Sequence, residues 1–274
     1  MKKSPTAAVI NDISGLGRCS LAAMLPVLAA IGVHACPVPI AVLTNQTGYD
    51  SYALQSCDEV LAAFPSQWKR QAVELNGIST GFFSSTRQVE LARQFIRAMR
   101  MRDTLLLVDP VMGDNGHRYA GFDDALCKAI AELAQTADVL TPNLTEACML
   151  CGVTYNPSAN EASLRRLTAQ LLSGSRAAVV VVTGVHANGE ISNVLAMRDG
   201  YFGYFKSPCI GGSYSGTGDL FAAALFGYLL QGVDPCAAIP KIQAFLEAAL
   251  RDANESKTRG ADGVPFERHL AKLF

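Results

Sequence analysis

Short apolar runs alternate with amphipathic segments of helical length along this sequence, and this alternation is the feature that most restricts its fold. Some runs, such as those at 105–108 and 177–182, are continuously apolar, as expected of parallel strands covered on both faces. Repeated strand–helix units predict an α/β fold with a central, mostly parallel sheet, helices on both faces and right-handed crossovers. The predicted strands cover residues 7–11, 36–43, 77–82, 105–109, 139–141 and 177–183.

The pattern changes near the C-terminus, where an Asp-Gly pair at 199–200 separates two extended runs at 193–197 and 201–206. Asp-Gly between extended runs predicts a short hairpin. Because no internal repeat, low-complexity segment or linker divides the sequence, residues 1–274 are interpreted as a single domain.

Two helices are predicted after the hairpin, at 217–230 and 235–251, and another helix follows the first strand. The apolar run at 221–230 is too short to cross a bilayer, so it is interpreted as a buried helix. In the helix after the first strand, apolar residues recur at the spacing of one buried face. That face is predicted to contain Leu21, Leu25, Leu28 and Ala29.

The composition excludes several classes of function. A net charge of −1 over 274 residues argues against a general nucleic-acid binder, which needs clustered Lys and Arg. No stretch has the length of a membrane span, and the apolar run after the first lysines is too short for a signal peptide. A cytoplasmic protein with eight reduced cysteines is therefore expected. Cys148 and Cys151 form a C-x-x-C pair without the further ligands that a zinc site needs.

Polar residues follow the predicted strands, in the positions where ligands bind to an open α/β sheet. Because the carboxyl ends of parallel strands lie at one edge, these clusters are expected to surround a single site. They lie at 11–14, 44–47, 109–114, 141–146, 183–184 and 216–219.

The turn Gly216-Thr217-Gly218-Asp219, at the start of a predicted helix, carries the clearest chemical indication. Two glycines let the backbone approach a ligand closely, and the first amides of a helix favour an anion. One interpretation is that Asp219 has only a structural role and complements the helix dipole. If the amides hold a phosphoryl group, the carboxylate is placed to take a proton from an attacking hydroxyl, which is general base catalysis.

Two further clusters could organise a metal ion and phosphates. Asn143 and Glu146 have the spacing of a helix N-cap and its partner, which is a structural role. Both also follow a strand, where a carboxylate can hold magnesium-bound water. Asp109 and Asp114 lie in one short loop, which could deliver two carboxylates to the same site.

Other nucleotide-binding motifs are absent or incomplete. The sequence contains no G-x-x-x-x-G-K-[ST], which excludes a P-loop enzyme. Gly15 and Gly17 begin a dinucleotide-type fingerprint, but Ser20 replaces its third glycine and no ribose-binding acid follows the second strand.

The combination of motifs resembles the ribokinase superfamily, and specifically its vitamin B6 (pyridoxal) kinase branch. Gly216-Thr217-Gly218-Asp219 followed by 220–223 is similar to the superfamily signature. Three other segments resemble motifs of this branch in the expected order, and they lie at 45–49, 109–114 and 141–146.

This resemblance implies a ribokinase-like kinase that transfers phosphate from MgATP to the 5′-hydroxymethyl group of pyridoxal, pyridoxine or pyridoxamine. It implies that Asp219 is the base and that the amides of Gly216, Thr217 and Gly218 form the anion hole. A homodimer is expected, with ATP and Mg²⁺ as cofactors and a monovalent cation as a further candidate.

The same resemblance assigns roles to the remaining candidate residues. Magnesium and the nucleotide phosphates would be organised by Asp109, Asp114, Asn143 and Glu146, with Asp109 and Glu146 as the metal ligands. ATP would also contact Tyr119, Thr141 and Thr183. The substrate ring would contact Thr47, Phe82, Asp219 and either Asp12 or Ser14.

Two other functions stay open at this point. Residues 15–20 resemble those of hydroxymethylpyrimidine kinases, which act on another ring carrying a CH₂OH group, although those relatives typically have Cys in place of Asp219. A non-catalytic pyridoxal- or nucleotide-binding sensor could use the same fold, since fold alone does not decide function. Turnover with a panel of acceptors discriminates among the three.

Overall fold

The computed structural model describes residues 4–187 and 189–274. Its strands are β1 (Thr6–Ser14), β2 (His34–Leu43), β3 (Leu54–Ser56), β4 (Gly77–Thr80), β5 (Leu105–Val108), β6 (Gly113–Asp114), β7 (His117–Arg118), β8 (Val139–Leu140), β9 (Val179–Ala187), β10 (Glu190–Met197) and β11 (Phe202–Pro208). Its helices are α1 (Ser20–Ala30), α2 (Asp58–Arg70), α3 (Thr86–Met99), α4 (Asp124–Ala134), α5 (Leu144–Cys151), α6 (Glu161–Ser173), α7 (Thr217–Leu230) and α8 (Pro235–Glu255). Two 3₁₀ helices follow, at Gly260–Asp262 and Glu267–Leu273.

One large sheet crosses the described residues, with the strand order β11-β10-β9-β8-β5-β4-β1-β2-β3. The pairings from β9 to β2 are parallel, whereas β3 at one edge and β10 and β11 at the other pair antiparallel. The predicted α/β class and the hairpin before α7 are therefore confirmed. The order of the strands changes side at β1. The chain adds β2 on one side of β1 and later adds β4 on the other, and both pairings are parallel.

Side chains alternate along each strand between two hydrophobic cores, one on each face of the sheet. Val9 and Leu107 pack with α1, α7 and α8 on one face. Ile10 and Val108 pack with helices α2 to α6 on the other. Continuous apolar runs form these strands because both of their faces are buried.

The strand ends differ from the predictions at several places. Strand β1 continues three residues beyond Asn11 to Ser14, with an irregularity in its pairing with β2 between Asn11 and Ile13. Strand β9 begins at Val179 and runs to Ala187, later than predicted at both ends. Strand β3 was not predicted, because its three residues are all exposed and leave no apolar pattern.

The buried face of α1 differs from the predicted one. Leu21 and Leu28 are buried as expected, but Leu25 is only partly buried and Ala29 is exposed. The helix packs against both β1 and α7, so it buries a wider stripe that also contains Ala23, Met24 and Val27.

Helix α7 has the predicted bounds and is buried along most of its length, from Leu220 to Tyr228. Such all-round burial is typical of a helix in the middle of a layer. Within residues 4–187 and 189–274, no helix combines the length and apolar character needed to cross a bilayer.

Candidate functional site

The face of the sheet beneath α7 carries polar residues where the strands end. The core on this face includes, from four strands, Val9, Leu107, Val139 and Val181. Because side chains alternate along a strand, the residues two positions further on lie on the same face at the carboxyl ends. These residues are Asn11, Asp109, Thr141 and Thr183.

Helix α7 begins at this edge with a glycine-dependent turn. Gly216 has a φ of 80°, in the left-handed region that favours glycine. A Cβ on Gly216 would lie 2.0 Å from the carbonyl oxygen of Arg18, so the turn packs directly on the loop after β1. A Cβ on Gly218 would meet nothing within 4 Å. The start of the helix is therefore open beside Gly218, and its first amides have no partner within the helix, as at helix N-termini that bind anions.

The carboxylate of Asp219 is held by donors from two other elements. Asn11 Nδ2 donates to Asp219 Oδ1 at 3.1 Å, and the backbone N–H of Ser20 donates to Oδ2 at 2.8 Å. Asn11 Oδ1 accepts from the backbone N–H of Phe82 at 3.1 Å and of Asp12 at 3.0 Å. The ends of β1 and β4, the start of α1 and the first turn of α7 are thus joined around one carboxylate.

The surroundings of Asp219 adjust its acidity. Burial raises the pKa of Asp219 to about 6, and the negative charge of Asp12 adds to this increase. The hydrogen bonds from Ser20 and Asn11 act in the opposite direction and lower the pKa. A carboxylate with this pKa is mostly ionised at neutral pH yet more basic than an exposed aspartate, which suits a general base.

Two more acidic residues lie buried beside this site. Burial, followed by the charge of Asp219, raises the pKa of Asp109 to about 8. The nearby Thr141 hydroxyl falls short of hydrogen-bond geometry with any described group, although its proximity lowers the pKa of Asp109 slightly. Burial and the charge of Asp109 raise the pKa of Glu146 well above its usual value. Both groups therefore favour the protonated form at neutral pH unless a cation stabilises their ionised forms.

Asn143 and Glu146 form a complete capping box at the start of α5. Asn143 Oδ1 accepts from the Glu146 N–H, and Glu146 Oε2 accepts from the Asn143 N–H, each at 2.9 Å. Asn143 Nδ2 donates to the carbonyl of Gly113, and Glu146 Oε1 accepts from the Met112 N–H. Both side chains thus fix the loop that follows β5, which is the structural role that their spacing allowed.

Asp114 and Tyr119 lie on or beside the small β6–β7 hairpin. Asp114 Oδ1 accepts from the backbone N–H of Asn115, so the carboxylate is tied to its own turn. Tyr119 is 43% exposed, yet burial and the charges of the neighbouring carboxylates, Glu146 first, raise the pKa of its hydroxyl. The hydroxyl therefore faces the acidic cluster.

An aromatic row lines one side of the site. Phe82, two residues after the end of β4, packs edge-on against Phe122 with 5.9 Å between ring centroids. Phe122 packs in the same way against Tyr119 at 6.0 Å. The row connects a residue expected to contact the substrate ring with one expected to contact ATP.

The remaining candidate substrate residues differ in their burial and in their contacts with the site. Asp12 and Ser14 are both buried, and Ser14 Oγ donates to Asp12 Oδ2 at 2.9 Å, so the two form one polar unit. Thr47 is exposed in the loop after β2, and the described contacts do not connect it with Asp219. The buried residue of that loop is Gln46.

A short segment near the C-terminus, residues 259–263, holds three loops of the site together; we call it the C-terminal strap. The loops lie at 15–19, 45–49 and 213–216. The joining hydrogen bonds are Arg18 N to Asp262 O (3.2 Å), Gln46 Nε2 to Ala261 O (2.9 Å), Tyr49 Oη to Asp262 Oδ1 (2.6 Å) and Ser215 N to Gly260 O (2.9 Å). The strap thereby fixes the anion-binding turn relative to the loop of Thr47.

Sequence reasoning missed several residues of the site. Asn11 and Ser20 contact the Asp219 carboxylate directly, and Gln46 and Asp262 anchor its loops. Asn11 belongs to a polar cluster that follows a predicted strand, so that signal was present. The role of Ser20 comes from its backbone N–H, which no side-chain pattern reveals.

The C-x-x-C pair lies apart from these residues, on α5. Cys148 is buried in the core, and Cys151 Sγ lies 3.8 Å from the carbonyl of Leu167. In the described part of the chain, no group of three or more Cys, His, Asp and Glu side chains is arranged to hold a metal ion.

Known proteins with similar sequences and structures are kinases. The model of the phosphomethylpyrimidine kinase family matches residues 20–264. A pyridoxine/pyridoxal/pyridoxamine kinase of Bordetella avium is 30% identical over 237 residues, covering 82% of this chain and 77% of that protein.

Two solved structures have closely similar folds. A Bacteroides thetaiotaomicron protein assigned to the phosphomethylpyrimidine kinases and crystallised with pyridoxal has a TM-score of 0.95 and 30% identity, covering 99% of this chain and 96% of that one. Pyridoxal kinase from Lactobacillus plantarum has a TM-score of 0.88 and 29% identity, covering 99% and 97%. From its match to the family model and these relatives, the chain belongs to the phosphomethylpyrimidine kinase family, whose members are phosphotransferases of ribokinase-like fold.

Proposed function

We propose that this protein uses MgATP to phosphorylate the 5′-hydroxymethyl group of pyridoxal, pyridoxine or pyridoxamine. The observation that carries this proposal is the position of the Asp219 carboxylate, in the first turn of α7 beside the outward-facing amides of residues 216–218. Its anchoring by Asn11 and Ser20 and its pKa of about 6 support a role as base.

In the proposed reaction, Asp219 accepts the proton of the substrate hydroxyl as the oxygen attacks the γ-phosphorus of ATP. The bond from that phosphorus to the β,γ-bridging oxygen breaks, and ADP leaves. The amides of Gly216, Thr217 and Gly218 bind the oxygens of the transferring group, which carry the charge of the transition state. Catalysis of this kind depends mainly on positioning and on charge stabilisation.

The acidic cluster fits a magnesium–nucleotide complex. Asp109 and Glu146 are two buried carboxylates whose pKa values are both raised, and a divalent cation near them would relieve their repulsion. Magnesium usually takes one or two carboxylates and completes its shell with water and phosphate oxygens, so a group of three protein ligands is not required. When bound, it would neutralise charge on the β- and γ-phosphates.

Except for Asn143, the other candidate residues keep the roles expected of them. Asn143 acts through the loop that it fixes, which also carries Asp114. Tyr119, Thr141 and Thr183 contact the nucleotide, as does Asp114 through solvent or metal. Phe82 stacks against the ring, while Asp12, Ser14 and Thr47 contact its substituents. We also propose that the protein forms a homodimer.

The pyridoxal-bound Bacteroides structure and the Bordetella relative favour a B6 vitamer as the acceptor. The family name and the likeness of residues 15–20 favour hydroxymethylpyrimidine as a second candidate. Both acceptors present a CH₂OH group on a planar ring, so the same base and anion-binding turn serve either one.

The test is an ADP-release assay with MgATP and a panel of pyridoxal, pyridoxine, pyridoxamine, hydroxymethylpyrimidine and ribose. We expect turnover on at least one B6 vitamer, and a loss of about 10²-fold or more in kcat for Asp219→Asn with ATP affinity nearly unchanged. Turnover on the pyrimidine alone would contradict the proposed B6 substrate but support the proposed phosphoryl transfer. Binding of ATP with no turnover on any acceptor would favour a nucleotide-binding sensor.

A further inference from the structure

The amide of Asn11 has only one orientation that satisfies its surroundings. Its oxygen faces two backbone donors, the N–H groups of Asp12 and Phe82, at 3.0 and 3.1 Å. Reversing the amide would place its NH₂ group against both donors. The nitrogen must therefore point the other way, towards Asp219, and it also lies 3.4 Å from Met24 Sδ.

The strand that carries Asn11 is paired with a neighbouring strand on each side. Strand β1 lies between β2 and β4, and Asn11 is fully buried. Gly81 leaves the space that the amide occupies, because a Cβ there would lie 2.5 Å from Asn11 Nδ2. The donor to Asp219 is thus fixed by the backbone and by its packing, independently of any ligand.

We infer that Asn11 is a positioning residue, which holds the carboxylate of Asp219 in its reactive orientation and ties it to the backbone of Phe82. Resting on the proposed function, this inference adds a residue that does not touch the reacting atoms. With Ser20 N–H on Oδ2 and Asn11 Nδ2 on Oδ1, the carboxylate cannot rotate without losing a hydrogen bond. The side chain of Asn11 therefore holds both the carboxylate of Asp219 and the backbone of Phe82.

The test uses Asn11→Asp, which keeps an oxygen for both backbone donors and replaces only the NH₂ group that faces Asp219. We expect kcat at pH 7 to fall at least 10-fold, with the KM for ATP within twofold of wild type. The acid limb of the kcat–pH profile should move to higher pH, because the variant loses the Asn11 hydrogen bond that lowers the pKa of Asp219 and places a second carboxyl group beside it. The other groups that face Asp219 are Asp12, Cys19, Asp109 and Tyr119, and all are unchanged in this variant.

Gly81→Ala is a second variant that displaces the amide of Asn11 without replacing it, and it should shift the acid limb in the same direction. The matched control is Gln88→Leu, which removes another buried amide, one that bonds to Ile40 and Ser84 on the opposite face of the sheet. The control should lose stability but keep its pH profile. An unshifted acid limb in Gly81→Ala, which adds no charge beside Asp219, would overturn the inference.

A double-mutant comparison separates positioning of the base from a general structural effect. In an Asp219→Asn background, Asn11→Asp should lower kcat by no more than about twofold, because no base remains to be positioned. A further loss as large as that in wild type would also overturn the inference.

A readout without turnover separates failure of this inference from failure of the proposed function. The titration of Asp219 can be followed by carbon NMR of the ¹³C-labelled carboxyl group in the intact protein. A higher pKa in Gly81→Ala, which adds no charge beside Asp219, supports the inference even if no acceptor on the panel is phosphorylated. An unchanged pKa contradicts it even if the proposed reaction is confirmed.

Discussion

The backbone N–H of Ser20 donates a 2.8 Å hydrogen bond to Asp219 Oδ2 across 199 positions of sequence. Ser20 is the first residue of α1 and has a φ of 51°, which is unusual for a residue other than glycine. The carboxylate therefore lies at the N-terminus of α1, while the amides beside it belong to the N-terminus of α7. The start of one helix holds the carboxylate, and the start of the other carries the amides that we propose bind the phosphoryl group.

The first prediction concerns the pH dependence of turnover. Burial and the charge of Asp12 raise the pKa of Asp219 to about 6, so kcat/KM should fall on the acid side as this base is protonated. Asp12→Asn removes a negative charge, which lowers the pKa of Asp219 and moves the acid limb to lower pH. Because Asp12 is also a candidate substrate contact, the measurement is the position of the limb between pH 5 and 9, not its height. A limb that stays in place or moves upward would contradict this assignment.

The second prediction compares two glycines of the anion-binding turn. Gly216→Ala forces a left-handed φ on alanine and a 2.0 Å contact with the Arg18 carbonyl, so we expect a loss of roughly 2–4 kcal/mol in the free energy of unfolding. Gly218→Ala meets no atom within 4 Å and improves helix propensity, so its melting temperature should not fall. Its new methyl group nevertheless occupies the space before the amides, and kcat/KM should drop at least 10-fold. Full activity in Gly218→Ala would mean that the phosphoryl group binds elsewhere.

The third prediction tests the C-terminal strap. Asp262→Ala removes the acceptor of the Tyr49 hydroxyl and the ion pair with Arg259. We expect a several-fold higher KM for the acceptor and an unchanged KM for ATP, because the loop of Thr47 loses its anchor. Glu247→Ala breaks a comparable exposed pair with Arg251 on α8 and serves as the control, with both KM values unchanged. Equal effects of the two substitutions would reduce the strap to an ordinary surface contact.

The fourth prediction concerns the aromatic row. Phe82→Tyr keeps the ring that packs on Phe122 and adds a hydroxyl, so the KM for pyridoxal should stay the same or fall. Phe82→Leu removes the ring and should raise that KM, with kcat less affected. Steady-state kinetics of both variants are the measurement. A large loss in Phe82→Tyr would mean that the ring packs against the substrate edge and not its face.

The limits of sequence reasoning follow the range of the interactions involved. Helix α7 was predicted with its observed bounds because a glycine turn and an apolar run are local signals. The strap was not predicted, since the Tyr49–Asp262 contact joins residues 213 positions apart.

At β1, the strand was expected to end at Asn11, which left Asp12 and Ser14 as loop residues. Pairing with β2 instead continues to Ser14 after an irregularity between Asn11 and Ile13, so Asp12 and Ser14 are buried residues of the strand. Neither composition nor spacing reveals such a change in pairing.

The burial of α7 has a consequence for how a turnover cycle can proceed. This helix has no polar face along residues 220–228, so withdrawing it from the sheet would expose a continuous set of apolar side chains to water. It therefore cannot swing open to admit ligands, and the position of its N-terminal turn is set before any ligand binds. Any motion that shields the reaction from water must therefore come from elements other than α7.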